Sequence, residues 1–237
     1  MSLPEKISCI IVLFSSIAIT ALQGQVVLPK NWNNEKIKGS RYIPDAYHPG
    51  SPFINDKFFR GEIILSNGTR VDNLPLRYNG YRDELIYFNT EISCQILIDK
   101  NSIKGFILAG ERHREFRQQY YNGDPPGYRF FEILDEGEIS LLVHRKVTLE
   151  PGTVYRDRSG RADNMSYIQS YRYFLYQQEK GYEPVKISRR SLLSKFDKPY
   201  QKHVRQLLRK NNVSISDEAG FLKAWKLIRE NGININF

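Results

Sequence analysis

Histidine, cysteine and paired carboxylates are where enzyme chemistry would start, and in this chain they stand apart. The four histidines, His48, His113, His144 and His203, each lack a second His or a Cys at metal-ligand spacing, so the patterns that zinc sites use do not occur. There is no GxSxG elbow, no Gly-rich phosphate loop and no GxGxxG fingerprint. Cys94 alternates with Ile96 and Ile98 in SCQILID, which predicts an inert thiol on the buried face of a strand. The acidic turn Asp135, Glu136 and Glu138 lacks the alternating oxygen ligands of a calcium loop and reads as a solvated hairpin. These residues predict no cofactor and no metal. They lean away from catalysis, with a triad or acid pair assembled from distant residues as the alternative.

Anion recognition is the chemistry that composition favours. The chain carries 35 Lys and Arg against 26 Asp and Glu, a formal charge of +9. Between Lys180 and Phe237 the balance is 13 basic to 5 acidic, so most of the excess lies in the last quarter. Arg189, Arg190, Lys202, Arg205, Arg209 and Lys210 are the candidate binding residues, with Lys195 and Lys198 nearby. Such a cluster suits an anionic envelope surface, an acidic glycan or an envelope protein. Nucleic acid enters only if the chain is not exported. The competing reading is that these are the ordinary solvated faces of amphipathic helices. Fifteen tyrosines invite a stacking role too, but strand propensity and packing account for them.

Export is read from the first residues. After Lys6, the uncharged run ISCIIVLFSSIAITA is followed by the small and polar Leu22, Gln23, Gly24 and Gln25, the order of a secretory signal ending at Gly24. The run is short for a membrane span, which needs about 20 apolar residues. Removing residues 1–24 leaves one cysteine, Cys94, and so no internal disulfide. A chain of this length can rely on its core instead.

The elements that must position the basic cluster follow from periodicity. Residues 25–56 show neither period and read as an irregular arm. From residue 57 the period is two: Phe59, Ile63 and Leu65 precede the hairpin signal Asn67-Gly68, and Leu74, Leu76 and Tyr78 form its return strand, with Pro75 suggesting an edge or a bulge. Further strands are expected at ELIYF, CQILI, IKGFILA, REFRQQYY and YRFFEIL. A hairpin turns at Asp135-Glu136-Gly137 into Ile139, Leu141, Val143, Val147 and Leu149, whose face Arg145 interrupts, either at the rim of a sheet or in a pair. Residues 151–170 read as a polar, mobile connection, and YRYFLYQ with EPVKI as a last hairpin. At Ser188 the period becomes 3.6, with helix starts at Ser188, Asp197 and Ser216-Asp217. Expected apolar stripes are Tyr200, Val204, Leu207 and Leu208, then Phe221, Leu222, Trp225 and Ile228, with a stop at Gly232. The expectation is an α+β fold: a mainly antiparallel β-rich body, sandwich or barrel-like, over 57–187, and basic helices packed on it over 188–232.

Several of these segments in combination carry a resemblance. GSPFIND from Gly50, GEIILSNGTRVDNLPLRYNGYRDELIYF from Gly61, FFEILDEGEISLLVHRKV from Phe130, and ISRRSLLSKF with the two helices after it resemble an uncharacterised exported protein family of Bacteroidota. The chain departs from that pattern at Tyr81-Arg82 and in the Arg- and Gln-rich segment Arg112–Gln119. The resemblance implies a periplasmic or surface location and a β-rich body with a helical tail, and it transfers no catalytic residue.

Overall fold

The alternating segments pair, among the described residues, into one antiparallel sheet of 11 strands. The computed structural model describes residues 37–156, 158–160 and 162–233, so the expected signal at 1–24 and the start of the arm lie outside it. In chain order the strands are β1 (Gly39–Arg41), β2 (Phe59–Leu65), β3 (Arg70–Asn79), β4 (Glu84–Asn89), β5 (Cys94–Ile98), β6 (Ile103–Ala109), β7 (His113–Tyr121), β8 (Gly127–Asp135), β9 (Ser140–Arg156), β10 (Ala162–Gln177) and β11 (Gly181–Val185). Three helices follow, α1 (Arg189–Leu193), α2 (Lys198–Lys210) and α3 (Glu218–Glu230). Across the sheet the order is β1-β5-β4-β3-β2-β6-β7-β8-β9-β10-β11. The fold is α+β, and the sheet is open, with β1 and β11 as its edges.

Two expectations change, and for Pro75 the bulge is met rather than the edge. The arm contributes β1, which pairs with β5 through Gly39 and Ile98, and Phe53 bridges to Asn79, so it is not wholly irregular. Residues 151–170 are not a loose connection: β9 and β10 continue as one long hairpin, pairing Pro151 with Met165 past a bulge. Backbone groups make that ladder, so polar side chains do not end it. Pro75 lies within an interior strand, opposite Arg60 and beside the bulge at Gly61/Ile63. The β4 ladder begins only at Leu76, so no bond on that side needs the missing N–H.

Successive residues of β8 serve two cores. Phe130 meets Tyr78 of β3 with ring centroids 6.2 Å apart, although β2, β6 and β7 lie between them in the sheet. Phe131 points to the other face. There Tyr121 of β7 meets Tyr182 of β11 at 5.3 Å, across three intervening strands. The sheet therefore curls towards one face from β3 to β8 and towards the opposite face from β7 to β11. The helices cover the outer side of the second curl, where Leu141 and Leu175 cluster with Leu192, Val204, Leu208, Phe221, Trp225 and Ile228.

Curvature opens a seam. β8 and β9 pair only over Glu132–Asp135 and Leu141–Val143. The β3–β4 turn enters where they part: Val147 N donates to Gly80 O at 3.0 Å, and Phe130 N to the Asp83 carboxylate at 3.3 Å. Gly80 is required there, because a Cβ would lie 2.5 Å from Arg145 O.

The helices begin where their caps are. The side chains of Ser188 and Asp217 accept from Ser191 N and Gly220 N. Asp197 stands at the start of α2 without a side-chain capping bond, and Pro199 occupies the first turn. In the apolar stripes Val204, Leu208, Phe221, Trp225 and Ile228 are buried, but Leu207 and Leu222 are half-buried and Tyr200 is 45% exposed. These three flank the contact arc of their helices instead of lying at its centre. Cys94 is likewise half-buried, packed on the first core.

Candidate functional site

The basic cluster is presented by α1 and α2, whose apolar sides are committed to the helical core around Leu141 and Leu175. Lys198, Lys202, Arg205 and Arg209 recur at i, i+4, i+7 and i+11, which places them along one outward stripe of α2. Arg189 is shared by two shallow grooves. One, of about 490 Å³, also has Arg209 and Asn212. The other, of about 460 Å³, has Arg190, Gln201 and Arg205. Of the six candidates, Arg189, Arg190, Arg205 and Arg209 thus line adjoining grooves and Lys202 shares the stripe of Arg205 and Arg209, while Lys210 lies about 100° round the helix from Arg209 and lines neither groove.

These cations are clustered and uncompensated. All six are exposed, and among the described residues none makes an ion pair; Arg205 reaches only Gln201 Oε1, at 3.4 Å. Elsewhere Arg70, Arg82, Arg112, Arg114, Arg117, Arg145 and Arg229 each face a carboxylate. Lys195, which lies within the same segment, pairs with Glu183. Like charges at i, i+4 disfavour a helix by about 0.2–0.5 kcal/mol per pair. Lys198–Lys202 and Arg205–Arg209 both carry that repulsion, which an anion laid along the stripe would relieve.

The platform beneath is held by charge as well as by apolar contact. Arg145, 2% exposed in its side chain, donates Nε to Glu132 Oε2 at 2.5 Å and Nη1 to Glu218 Oε2 at 2.6 Å. Arg114 donates to both oxygens of Glu132, Arg112 Nη2 to Glu218 Oε1, and Tyr173 Oη to Glu218 Oε2. Burial alone would push both carboxyls up. Arg114 and Arg145 nonetheless hold Glu132 below its usual range, and Arg145, Arg112 and Tyr173 hold Glu218 at about 2. Trp225 Nε1 donates to Asp135 Oδ2 at 3.0 Å, and Arg229 Nη1 reaches the same oxygen at 2.5 Å. The network fastens α3 to β8, β9 and β10. Its two glutamates stay ionised, so neither suits general-acid work near neutral pH.

Sequence reasoning noticed Arg145 as a charge on an apolar face, and that was the available signal; Glu132, Arg114 and Glu218 were not foreseen. Among the described residues no three His, Cys, Asp or Glu side chains converge as a metal site, and no helix is long and apolar enough to cross a membrane. No family model, curated protein or solved structure matches the chain.

Proposed function

We propose that the protein is an exported, non-catalytic binding or scaffold module of the cell envelope, periplasmic or at the surface, whose α1–α2 face holds an anionic partner. The observation that carries this is the convergence of Arg189, Arg190, Lys202, Arg205 and Arg209 on one exposed face with no carboxylate paired to them among the described residues. The apolar stripe of α2 is already spent on the core, so the helix has no second face to insert into a bilayer. Contact with a lipid surface would be through headgroup charge alone, and an acidic glycan fits the exposed grooves better. The resemblance to exported Bacteroidota proteins and the signal-like start support the compartment.

A hydrolase of envelope polymers is the second reading. It gains little from the grooves, whose lining is basic, polar and aliphatic without a His, Asp or Glu. The test titrates the mature protein with an acidic polysaccharide and, separately, with anionic vesicles, at rising salt. Binding should weaken steeply as the screening length falls to about 8 Å near 0.15 M. Arg205→Glu with Arg209→Glu should remove it while leaving the far-UV spectrum unchanged. Binding that ignores both salt and the double reversal would sink the reading. Intact mass showing Met1 retained on cytosolic protein would sink the compartment and revive nucleic acid as the partner.

A further inference from the structure

The seam between β8 and β9 holds a second set of uncompensated cations, on the face of the sheet away from the helices. His144 is 4% exposed there, and neither of its ring nitrogens has a hydrogen-bond partner among the described residues. A neutral imidazole carries one donor and one acceptor, and native folds seldom leave both unmet inside. Strand register surrounds it with positive charge. Arg172 is its direct cross-strand partner on β10, and Lys146 lies two positions along β9 on the same face. Arg129 shares that face on β8 with Phe131, whose ring lies 5.7 Å from the imidazole.

Burial first, and then the charges of Arg129, Lys146, Lys100 and Arg172, hold His144 at about 3. Burial also lowers Lys146, against the pull of Asp83 and with the push of the same three neighbours. Asp83 is the acid within their reach, and it is already occupied: Tyr78 Oη, Lys100 Nζ and Phe130 N all donate to it. Lys146 donates to the Tyr81 carbonyl at 3.1 Å, and Arg129 to Pro125 O while lying over the Tyr121 ring at 4.3 Å. The Arg172 side chain is exposed and has no hydrogen bond or ion pair among the described residues. Cations that share one face around an orphaned buried donor make an arrangement that an oxyanion completes, since it returns charge-assisted bonds to each.

We propose that this cluster is a binding site for a single oxyanion group, a phosphate, sulfate or carboxylate, gripped by Lys146, Arg172 and Arg129 with the His144 N–H behind them. It is distinct from the α1–α2 face, which presents a stripe for an extended polyanion. The group can arrive as a free anion or on the end of an acidic glycan, and the probes separate these sources.

The mature protein is titrated with inorganic phosphate and with a sulfated tetrasaccharide, each at constant ionic strength, while calorimetry and the His144 ring resonances are followed. Expected are saturable one-to-one binding, movement of the His144 signals, and at least a tenfold loss of affinity in Lys146→Gln/Arg172→Gln. Arg172→Gln alone, at an exposed position, gives the same direction should the double variant fold poorly. Binding of phosphate identifies a free anion as sufficient, and binding of the tetrasaccharide alone identifies a group carried on a glycan. Arg205→Glu/Arg209→Glu should leave the His144 response intact, so the helical face can fail independently of this site. Two results overturn the proposal: no saturable binding of either probe, or binding with static His144 signals that the Arg172→Gln variants leave unchanged.

Discussion

Arg145 on β9 donates both terminal guanidinium nitrogens to the carboxylate of Glu218, the first residue of α3 and 73 positions further along the chain. Its Nε is given to Glu132, which Arg114 holds from the other side. One side chain thereby joins the sheet to the helical layer that carries the basic face.

Replacing Arg145 by Met should cost about 3–5 kcal/mol, because the variant keeps the buried Glu132 and the half-buried Glu218 and removes their shared partner. Breaking the half-exposed Arg117–Glu136 pair should cost under about 1 kcal/mol. Urea unfolding of the two variants compares them directly. Equal losses would mean that the buried network contributes no more than a surface ion pair.

Acid should loosen the fold in two stages. His144 is held at about 3 against an ordinary 6.5, so between those values the unfolded chain binds a proton that the folded one refuses, and stability falls as pH falls. From pH 6.5 to pH 5 this amounts to about 2 kcal/mol. Glu218, held at about 2 against 4.5, contributes fully above 4.5 and loses that contribution as pH drops through 2. His144→Leu should erase the first stage and keep the second. Unfolding curves measured at unit steps from pH 7 to pH 3 test this, and an undiminished first stage in the variant would assign it to other groups.

Gly80→Ala should destabilise by about 1–3 kcal/mol, since the new methyl would meet the Arg145 carbonyl at 2.5 Å and Val147 Cγ2 at 2.9 Å. A methyl at Gly137, where the nearest atom is the Arg229 guanidinium at 3.3 Å, should cost far less. Thermal melts of the pair check that the seam is packed as described. If Gly80→Ala melts with the parent protein, the turn does not enter between β8 and β9.

Trp225→Ala should cost about 3–5 kcal/mol through the cavity it leaves in the helical core. Trp225→Phe keeps most of the volume and should cost about 1–2 kcal/mol, because Asp135 loses an N–H donor but retains Arg229. A blue-shifted emission component lost in both variants would confirm the buried site, and a fully solvated spectrum for Trp225 would contradict it.

Much of the fold was legible in the chain because it is encoded by near neighbours. Alternation at i, i+2 marks β2 to β8, the first part of β9, the second part of β10 and β11, and the change to i, i+3, i+4 at Ser188 marks the helices, with Ser188 and Asp217 capping as their side chains allow. The basic run was legible as composition. What could not be read is whether a given charge would meet a counter-charge, since that depends on which strands and helices are brought side by side. Lys195 and Lys202 look alike in the sequence, yet Lys195 finds Glu183 on β11 while Lys202 faces solvent on the outward stripe of α2. Arg145 and His144 are adjacent on β9 and therefore point to opposite faces: the tertiary structure places two glutamates before the first and cations around the second. Period two tells that neighbours diverge. Only the reversal of the sheet's curl at β8, and the turn wedged at its seam, decides what each of them meets.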